Sequence, residues 1–562
     1  MSMASATPQP VPGWADSHMV PMRDGVRLAT DVYKPQDTGK PQDAAALPAV
    51  LVRLPYDKNS RYVFMEEVGR RLVARGYALV VQDVRGKFRS EGEALGLVGE
   101  AWDGYDTIEW IVRQEWSGGR VGMFGDSYYG FTQWAAVSTS HPALRAIVPR
   151  VTAVDMASFT PVAHGSVLDP PWSGFAAYIA ECWNGPWLHE PELDWTRTPL
   201  TEVFEEAFRR RGRRSSWYDR SIPEAKPVTV FPDGHPFDAR PVPTLHVVGW
   251  HDNVLLHSMR DYLELTSRPG HAPMQYLYAD SIDHENYHLS LVPIQEEDDH
   301  ESDDAALGRM LDRYLDPAID FFDAFLAETA PAETVPRVRW HLGHAGWRRA
   351  GCWPPEESAP YTLYLAGLTA AEGAGTGRLA PDPPAREESV SWDHDPGDLV
   401  PSAAENSFEF LRAYPDERDA GDRPDVLRFD TAAFGDGLDL AGPIDLHLRV
   451  DSTAPTADVY AKLYDVAPGG ACHMISRGQG VLTEPGAAEP ARIEMTHTGY
   501  RVRPGHRLRL HVAGSDYPEF APNPGTRENP WTAEHRRGSR QTLRTSPDMA
   551  CRLVLRALPG AG

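Results

Sequence analysis

One short segment of the chain combines residue types that could perform nucleophilic catalysis. Residues 125–130 read Gly-Asp-Ser-Tyr-Tyr-Gly, between a strand-like apolar run at 121–124 and a helix-like run at 132–140. A serine on a sharp strand-to-helix turn projects its hydroxyl above the sheet, beside the positive end of the helix. The glycines allow the sharp turn and a close approach of neighbouring backbone. The pattern therefore predicts that Ser127 attacks an acyl carbon when a histidine accepts its proton.

An acid and a base are expected on loops after later strands, in the order Ser, then Asp or Glu, then His. Asp252 follows a predicted strand at 244–248, where a carboxylate can orient an imidazole. His284 follows the next predicted strand, at 274–278. It lies 32 residues after Asp252 (284 − 252), which leaves room for a helix and a strand between them. We therefore predict Asp252 as the acid and His284 as the base.

The base and the acid each have alternatives. The other nearby histidines are His251, His257, His271 and His288. Order and placement at a strand end favour His284, with His288 as the remaining alternative. Asp83 also ends a predicted strand, but it precedes Ser127 and breaks the usual order. We interpret Asp83 as structural, paired with Arg85 or Arg89.

Strands alternate with helices on both sides of the proposed nucleophile. Strands are predicted at 26–33, 49–53, 78–83, 121–124, 146–149, 244–248 and 274–278. Helices are predicted at 66–75, 103–114, 202–214 and 314–327. This alternation is typical of a mostly parallel sheet that is covered on both faces, so an α/β fold is expected.

The character of the sequence changes three times along the chain. Residues 1–150 predict the first part of the α/β core, and 151–235 lose their strand signals and become rich in aromatic residues. We interpret 151–235 as an inserted helical cap and 236–332 as the second part of the core. From 333 to 562, short alternating runs separated by Gly, Pro and Asp predict a jelly-roll β-sandwich. Within it, the Pro-rich residues 381–398 are predicted to form a long surface loop.

Composition narrows the classes of protein that the chain can belong to. With 562 residues, the chain is too long for a single core. Its net charge of −25 (55 Lys and Arg against 80 Asp and Glu) disfavours binding to nucleic acid or to an anionic membrane. Four widely spaced cysteines argue against a zinc site or a disulfide framework.

Location and partners can also be predicted from the sequence. There is no signal-peptide pattern and no apolar run near the roughly 18 residues of a membrane helix, so a cytoplasmic protein is expected. No metal or organic cofactor is implied. The expected partner is a small-molecule ester or amide, and a homodimer is left open.

Several segments, in the same order along the chain, resemble the cocaine esterase and X-Pro dipeptidyl-peptidase group of CocE/NonD hydrolases. They are Leu-Pro-Tyr-Asp-Lys at 54–58, Gln-Asp-Val-Arg-Gly at 82–86, Ser-Glu-Gly at 90–92, the turn at 125–130, Gly-Trp-His-Asp at 249–252, and two segments at 461–466 and 514–518. The resemblance spans nearly the whole chain. It implies an α/β-hydrolase core with an inserted helical cap and a C-terminal jelly-roll domain.

The resemblance also implies roles for individual residues. Ser127 would be the nucleophile, His284 the general base and Asp252 its orienting acid. The tetrahedral oxyanion would be held by the Tyr128 backbone N–H and by the Tyr56 hydroxyl. Losing one such donor typically costs about 10²–10³ in turnover.

Two positions depart from the pattern of the family. Asp126 stands where a small or apolar residue is usual, and its carboxylate would either form a salt bridge or repel anionic substrates. Val254 and Leu255 stand where relatives that act on α-amino-acid esters carry acidic residues, so an apolar acyl group is expected. Aromatic residues of the cap are further candidates for the substrate pocket: Phe159, Trp172, Phe175 and Trp183.

These observations predict a serine hydrolase that cleaves an ester or an amide through an acyl-enzyme. One alternative is an acyltransferase that uses the same triad. A second is a peptidase that releases Xaa-Pro dipeptides and would need a site for the substrate ammonium, for which Glu181 is one candidate. A third is a non-catalytic binding protein on a hydrolase scaffold. The presence of all four polar site residues argues against the third alternative.

Overall fold

Two large sheets organise the part of the chain that the structure, a computed structural model, describes. The described residues are 8–35, 46–155, 194, 197–211, 214, 218–219, 229–285, 304–370, 375–404, 407–487 and 489–560. The predicted pocket aromatics Phe159, Trp172, Phe175 and Trp183 lie outside these residues, as does most of the predicted cap.

The first sheet has ten strands and carries the proposed site at one edge. Its strands are β1 (Asp16–Pro21), β2 (Arg27–Tyr33), β3 (Leu47–Leu54), β4 (Ala78–Asp83), β5 (Ser117–Asp126), β6 (Leu144–Arg150), β7 (Thr244–Gly249), β8 (Gln275–Asp280), β9 (Val338–Leu342) and β10 (Gly346–Ala350). They lie in the order β1-β2-β4-β3-β5-β6-β7-β8-β9-β10. The pairs from β4 to β9 are parallel, and the outer pairs are antiparallel.

The strand order places a crevice at the carboxyl edge of this sheet. The chain runs from β3 to β4 on one side and then returns to β5 on the other side of β3. In open α/β sheets, ligands bind outside the carboxyl ends of the strands at such a reversal. All six residues of β4 are buried, as expected for a parallel strand with both faces covered.

Helices pack on both faces of the first sheet. They are α1 (Met65–Ala74), α2 (Glu100–Val112), α3 (Ser127–Ser138), α4 (Thr201–Arg211), α5 (Leu255–Ser267) and α6 (Asp304–Phe325). In α1 the buried residues Met65, Val68 and Leu72 recur at helical spacing, so one stripe faces the core. Nearly every residue of α3 is buried, which makes it a central helix. The helix predicted at 314–327 begins ten residues earlier, at Asp304.

The remaining strands form a C-terminal β domain with its own apolar core. They are β11 (Ala359–Ala370), β12 (Gly375–Ala380), β13 (Glu388–His394), β14 (Val426–Asp430), β15 (Leu438–Gly442), β16 (Asp445–Leu448), β17 (Val450–Ser452), β18 (Ala457–Val466), β19 (Cys472–Leu482), β20 (Ala491–Glu494), β21 (Thr498–Val502), β22 (Arg507–Ala513), β23 (Ser539–Thr545) and β24 (Arg552–Ala557). Eleven of them form one sheet, and β13, β23 and β17 form a second. A short helix, α7 (Phe410–Ala413), precedes β14. The prediction of an α/β-hydrolase core with a C-terminal β domain is confirmed.

The prediction of a surface loop at 381–398 is wrong for its central part. Residues Glu388–His394 form β13, which pairs antiparallel with β23. Val390, Trp392 and His394 are buried, and the residues between them are more exposed. This alternation is the signature of a half-buried strand, and the surrounding prolines and charges concealed it in the sequence.

The two domains meet at a seam near residue 340. Strands β9 and β10 follow the boundary predicted at 333, yet they are hydrogen-bonded into the first sheet. The backbone N–H of Gly343 donates to the carbonyl of Gly499 in the β domain, at 2.9 Å. Among the described residues, no helix combines the length and the apolar character that a membrane crossing requires.

Candidate active site

Ser127 lies at the junction of β5 and α3, at the carboxyl edge of the first sheet. Its φ of +50° is in the left-handed region, which a non-glycine residue adopts at a cost. The turn also needs a glycine at position 130, because a Cβ there would lie 2.5 Å from the side chain of Thr152. Such a strained turn with a partly exposed serine is the geometry of a nucleophile elbow.

Asp252 and His284 follow β7 and β8, which are parallel neighbours. His284 Nδ1 lies 2.8 Å from Asp252 Oδ1, and both side chains are buried. Gly249 makes this approach possible, because a Cβ there would come within 2.4 Å of the Ile282 carbonyl oxygen. The His251 N–H also donates to the Ile282 carbonyl at 3.0 Å, so the two loops are held together by backbone.

The charges around His284 favour its protonated form. Burial lowers the pKa of the imidazole, but the charge and hydrogen bond of Asp252 oppose burial, and so do the charges of Glu285 and Asp126. The net result is a raised pKa for His284. An imidazolium that forms during catalysis would therefore be stabilised where it forms.

The alternative histidines have different surroundings. Burial lowers the pKa of His251 to about 3, and its ring stacks on Phe410 at 5.9 Å. Burial lowers the pKa of His257 to about 4, and it also lowers the pKa of His271. His288 lies outside the described residues. Of the four described candidates, His284 is the one whose ring lies against the Asp252 carboxylate.

Tyr56, on the loop after β3, connects the two halves of the site. The Ser127 side chain is among the groups that interact with its hydroxyl. Burial raises the pKa of Tyr56, and the charge of Glu285 adds to the effect. Glu285 is the neighbour of His284 along the chain. The Tyr56 phenol therefore remains protonated at neutral pH and can donate beside Ser127.

The side chain of Tyr128 is anchored by hydrogen bonds to residues other than Ser127. Its hydroxyl lies 2.8 Å from the Gly96 carbonyl and 2.8 Å from the Glu100 carboxylate. Glu100 in turn forms a buried ion pair with Arg53, at 2.8 Å. Because Tyr128 is in the first turn of α3, its backbone N–H has no acceptor within the helix. It is a donor of the kind that an oxyanion requires.

Asp126, the unusual residue before Ser127, forms a salt bridge. Its carboxylate lies 2.8 Å from Arg150 Nε and accepts a hydrogen bond from the Tyr314 hydroxyl at 3.0 Å. Asp126 and Arg150 are directly opposite each other on the parallel strands β5 and β6. Of the two interpretations of Asp126, a salt bridge or the repulsion of anionic substrates, the structure supports the salt bridge.

Val254 and Leu255 are both buried, but they belong to different clusters. Val254 packs in the large apolar cluster that also contains Tyr56 and Tyr129. Leu255 packs on the other side, in a cluster with Trp250 and Trp340. Of the two positions, Val254 is the one that shares a cluster with the site tyrosines, and its backbone N–H donates to Asp252 Oδ1 at 3.2 Å.

Three residues at the site were missed by the sequence reasoning. The Tyr62 hydroxyl donates to Glu285 Oε1 at 3.2 Å, and the Tyr62 ring meets Tyr56 edge-on at 5.6 Å. Phe408, from the β domain, meets the His284 ring edge-on at 4.8 Å. Adjacency to His284 was an available signal for Glu285. No local pattern could have indicated Phe408, which is 124 residues further along (408 − 284).

The predicted partners of Asp83 were wrong. Its carboxylate faces Lys58, whose backbone N–H donates to it at 2.9 Å. Arg85 instead binds Asp103 and Asp24, and Arg89 lies 4.0 Å from Asp57. Asp83 is the last residue of β4, and its carboxylate faces the loop after β3. Arg85 and Arg89 lie on the segment after β4 and pair with other carboxylates.

Comparison with known proteins supports the same division of the chain. Residues 24–286 match the X-Pro dipeptidyl-peptidase (S15) family, and residues 331–552 match the C-terminal non-catalytic domain of X-Pro dipeptidyl-peptidases. The cocaine esterase of Rhodococcus sp. (strain MB1 Bresler) is 29% identical over an alignment of 566 residues, which covers 91% of this chain and 92% of that protein.

Solved structures share the fold over almost the whole length. An aminopeptidase from a marine sediment Thaumarchaeota archaeon matches with a TM-score of 0.77 and 24% identity, over 97% of this chain and 96% of that one. An α-amino acid ester hydrolase matches with a TM-score of 0.75 and 24% identity, with the same coverage. With both domains matched in order and the elbow, acid loop and histidine loop at one edge of the sheet, the chain belongs to the cocaine esterase and X-Pro dipeptidyl-peptidase family of serine hydrolases.

Proposed function

We propose that this chain is an esterase or amidase that works through an acyl-enzyme on Ser127. The observation that carries the proposal is the buried contact of 2.8 Å between His284 Nδ1 and Asp252 Oδ1. A proton held on Nδ1 leaves Nε2 as the acceptor for the hydroxyl proton of a nucleophile. The interaction of the Tyr56 hydroxyl with the Ser127 side chain supports the same arrangement.

In the first half-reaction, Ser127 Oγ attacks the acyl carbon of the substrate while His284 Nε2 takes the hydroxyl proton. The carbonyl oxygen becomes an oxyanion that accepts hydrogen bonds from the Tyr56 hydroxyl and the Tyr128 N–H. When the tetrahedral intermediate collapses, the bond to the leaving group breaks. The alcohol or amine departs with the proton from His284, and the acyl group stays on Ser127.

In the second half-reaction, water takes the place of the leaving group. His284 removes a proton from the water as its oxygen attacks the acyl carbon. The intermediate then expels Ser127 Oγ, which regains its hydrogen from His284, and the carboxylic acid is released. Val254, which is buried in the same apolar cluster as the site tyrosines, favours an apolar acyl group.

The decisive test is the intact mass after treatment with a fluorophosphonate, on the wild type and on Ser127→Ala. A single adduct on the wild type that disappears in the variant is expected, together with loss of hydrolysis across a panel of acyl esters and amides. No adduct on the folded wild type, or near-full activity of Ser127→Ala, would contradict the proposal.

A second candidate is a peptidase for substrates with a free amino terminus, and Glu285 favours it. This carboxylate follows His284 in the chain and accepts a hydrogen bond from the Tyr62 hydroxyl. Its negative charge also helps to raise the pKa of Tyr56. A carboxylate bordered by aromatic rings is a suitable site for an ammonium group.

This candidate can be tested with a chromogenic Ala-Pro anilide and its N-acetylated form. If Glu285 binds the ammonium, the free form is cleaved faster, and Glu285→Gln loses that preference while it still cleaves a neutral ester. Equal rates on the two anilides, or no cleavage of either, would remove the peptidase and leave the esterase.

A further inference from the structure

A fully buried cluster of three charges lies beneath the loop that carries Tyr56. Lys58 Nζ lies 2.8 Å from Asp31 Oδ2 and 3.9 Å from Asp83 Oδ2. None of the three side chains is exposed to solvent. A buried ion pair seldom adds net stability over well-packed apolar residues, so its presence calls for another explanation.

The cluster attaches one loop to two strands of the first sheet. Asp31 is on β2, and Asp83 is the last residue of β4, the strand between β2 and β3. Lys58 belongs to the loop after β3, two residues beyond Tyr56. Its side chain reaches both carboxylates, and its backbone N–H donates to Asp83 Oδ1 at 2.9 Å. The main chain and the side chain of Lys58 are therefore both fixed.

The same loop has a strained conformation that needs such anchors. Asp57, between Tyr56 and Lys58, has a φ of +63°, a left-handed conformation that a non-glycine residue keeps only where its surroundings hold it. Its carboxylate accepts from the Gln9 N–H at 2.7 Å, and the Ser60 hydroxyl donates to the Tyr56 carbonyl at 3.0 Å. These contacts hold the backbone at the tyrosine carbonyl and at the residue directly after it.

We propose that Lys58, held by Asp31 and Asp83, is a positioning residue that aims the Tyr56 hydroxyl at the oxyanion. This inference rests on the proposed function, because it assigns a role within the same reaction. Lys58 does not touch the substrate and acts through Tyr56 alone. A shift of about 1 Å in a positioned group can cost roughly 10² in rate, so a loose Tyr56 would be almost as costly as an absent one.

In this cluster, the single ammonium group of Lys58 stabilises the negative charges of two buried carboxylates. Burial raises the pKa of Asp83 to about 7, although the charge and backbone N–H of Lys58 oppose that rise. Without the ammonium group, two buried carboxylates would face each other across the space that Lys58 fills. The loop would then move to admit water, and Tyr56 would move with it.

The test is a double-mutant cycle on the full chain with a chromogenic p-nitrophenyl ester, using Lys58→Met, Tyr56→Phe and the double variant. Each single variant is expected to lower kcat by about 10²-fold with KM changed less than threefold. The double variant is expected to lose no more than Tyr56→Phe alone, because the lysine would have nothing left to position. If Lys58 only stabilised the fold, the losses in kcat of the two single variants would multiply in the double variant.

Arg509→Met is a matched control for the removal of a buried cation. Arg509 pairs with Asp430 at 2.6 Å in the β domain, away from the site. This variant is expected to lower Tm while leaving kcat within twofold. If Lys58→Met does not fold, Asp83→Asn takes its place in the cycle, since its amide oxygen can still accept from the Lys58 N–H while the charge is gone.

The outcomes separate this inference from the proposed function. Multiplied losses in the double variant, or a kcat within threefold for Lys58→Met, would overturn the positioning role. A kcat within threefold for Tyr56→Phe would also overturn it, because there would be no donor to aim. In each of those cases, a fluorophosphonate adduct that depends on Ser127 would leave the hydrolase itself intact.

Discussion

The two halves of the site are held in place by different means. The half that carries Ser127 and Tyr56 is braced by buried charges within the α/β core, among them the pair of Asp126 with Arg150. The half that carries Asp252 and His284 is braced by the β domain. Leu411 donates its N–H to Asp283 at 2.8 Å, and Phe408 lies against His284.

This difference has a physical reason. Ser127, the proposed nucleophile, lies among the central strands, where neighbouring elements of the same domain can supply ion pairs. The loops after β7 and β8 lie nearer the other side of the sheet, where the next neighbour is the β domain. Trp250, beside the acid, stacks on Trp353 at 5.0 Å across this region. The ion pairs that brace the Ser127 half therefore lie within the core, whereas the Asp252 and His284 half also depends on how the two domains pack.

The largest effect is expected from the acid itself. Asp252→Asn should lower kcat on a chromogenic ester by about 10⁴-fold, because the amide no longer fixes the imidazole tautomer or stabilises its charge. Ser127→Ala measured in parallel gives the background rate. A loss below tenfold would mean that the bond to Asp252 is not what prepares His284.

The next effect tests the charge bracing of the nucleophile half. Arg150→Met should destabilise the fold by about 3–5 kcal/mol, because Asp126 would remain buried without its cation. Urea unfolding measures this loss. The control is Arg260→Met, which breaks an exposed pair with Glu494 and should cost less than about 1 kcal/mol. Equal costs would show that Asp126 finds another partner.

A smaller effect should reveal the contribution of the β domain to the acid–base half. Phe408→Ala removes an edge-to-face contact worth about 0.5–1.5 kcal/mol. If this contact orients His284 in the transition state, kcat should fall by up to about tenfold. Phe434→Ala, an equal truncation of a partly buried residue packed against the core of the same domain, should leave kcat unchanged. The same loss in both variants would point to a general loosening of the domain.

The smallest expected effect is a shift in pH dependence. Because Asp252 helps to raise the pKa of His284, kcat/KM should fall as the pH drops through a value above 6.5. In the Asp252→Asn variant, the fall of the residual kcat/KM on the acidic side should move to a lower pH. The stability linked to this proton is present below the unfolded pKa and is lost as the pH rises through the folded one. An unmoved limb would assign the titration to another group.

The features that the sequence predicted are the ones encoded locally. The elbow at Ser127 and strand β4 each lie within a few consecutive residues, and chain order was enough to select Asp252. The partners of these residues depend on register and on distant packing. Arg150 faces Asp126 through the alignment of two parallel strands, and Asp83 faces Lys58 across a loop. Spacing along the chain does not encode such alignments, which explains why the predicted arginine partners of Asp83 were wrong.

The placement of β9 and β10 limits how this enzyme could be divided. Both strands come after residue 330, yet they complete the sheet of the catalytic domain. A polypeptide shortened at residue 330 would expose the hydrogen-bonding edge of β8, which is a template for association between copies. It would also remove Trp353, which stacks on Trp250, and Trp340, which belongs to the same apolar cluster. For protein engineering, the hydrolase domain therefore cannot be separated at residue 330. A version expressed alone or fused to another protein would have to include β9 and β10.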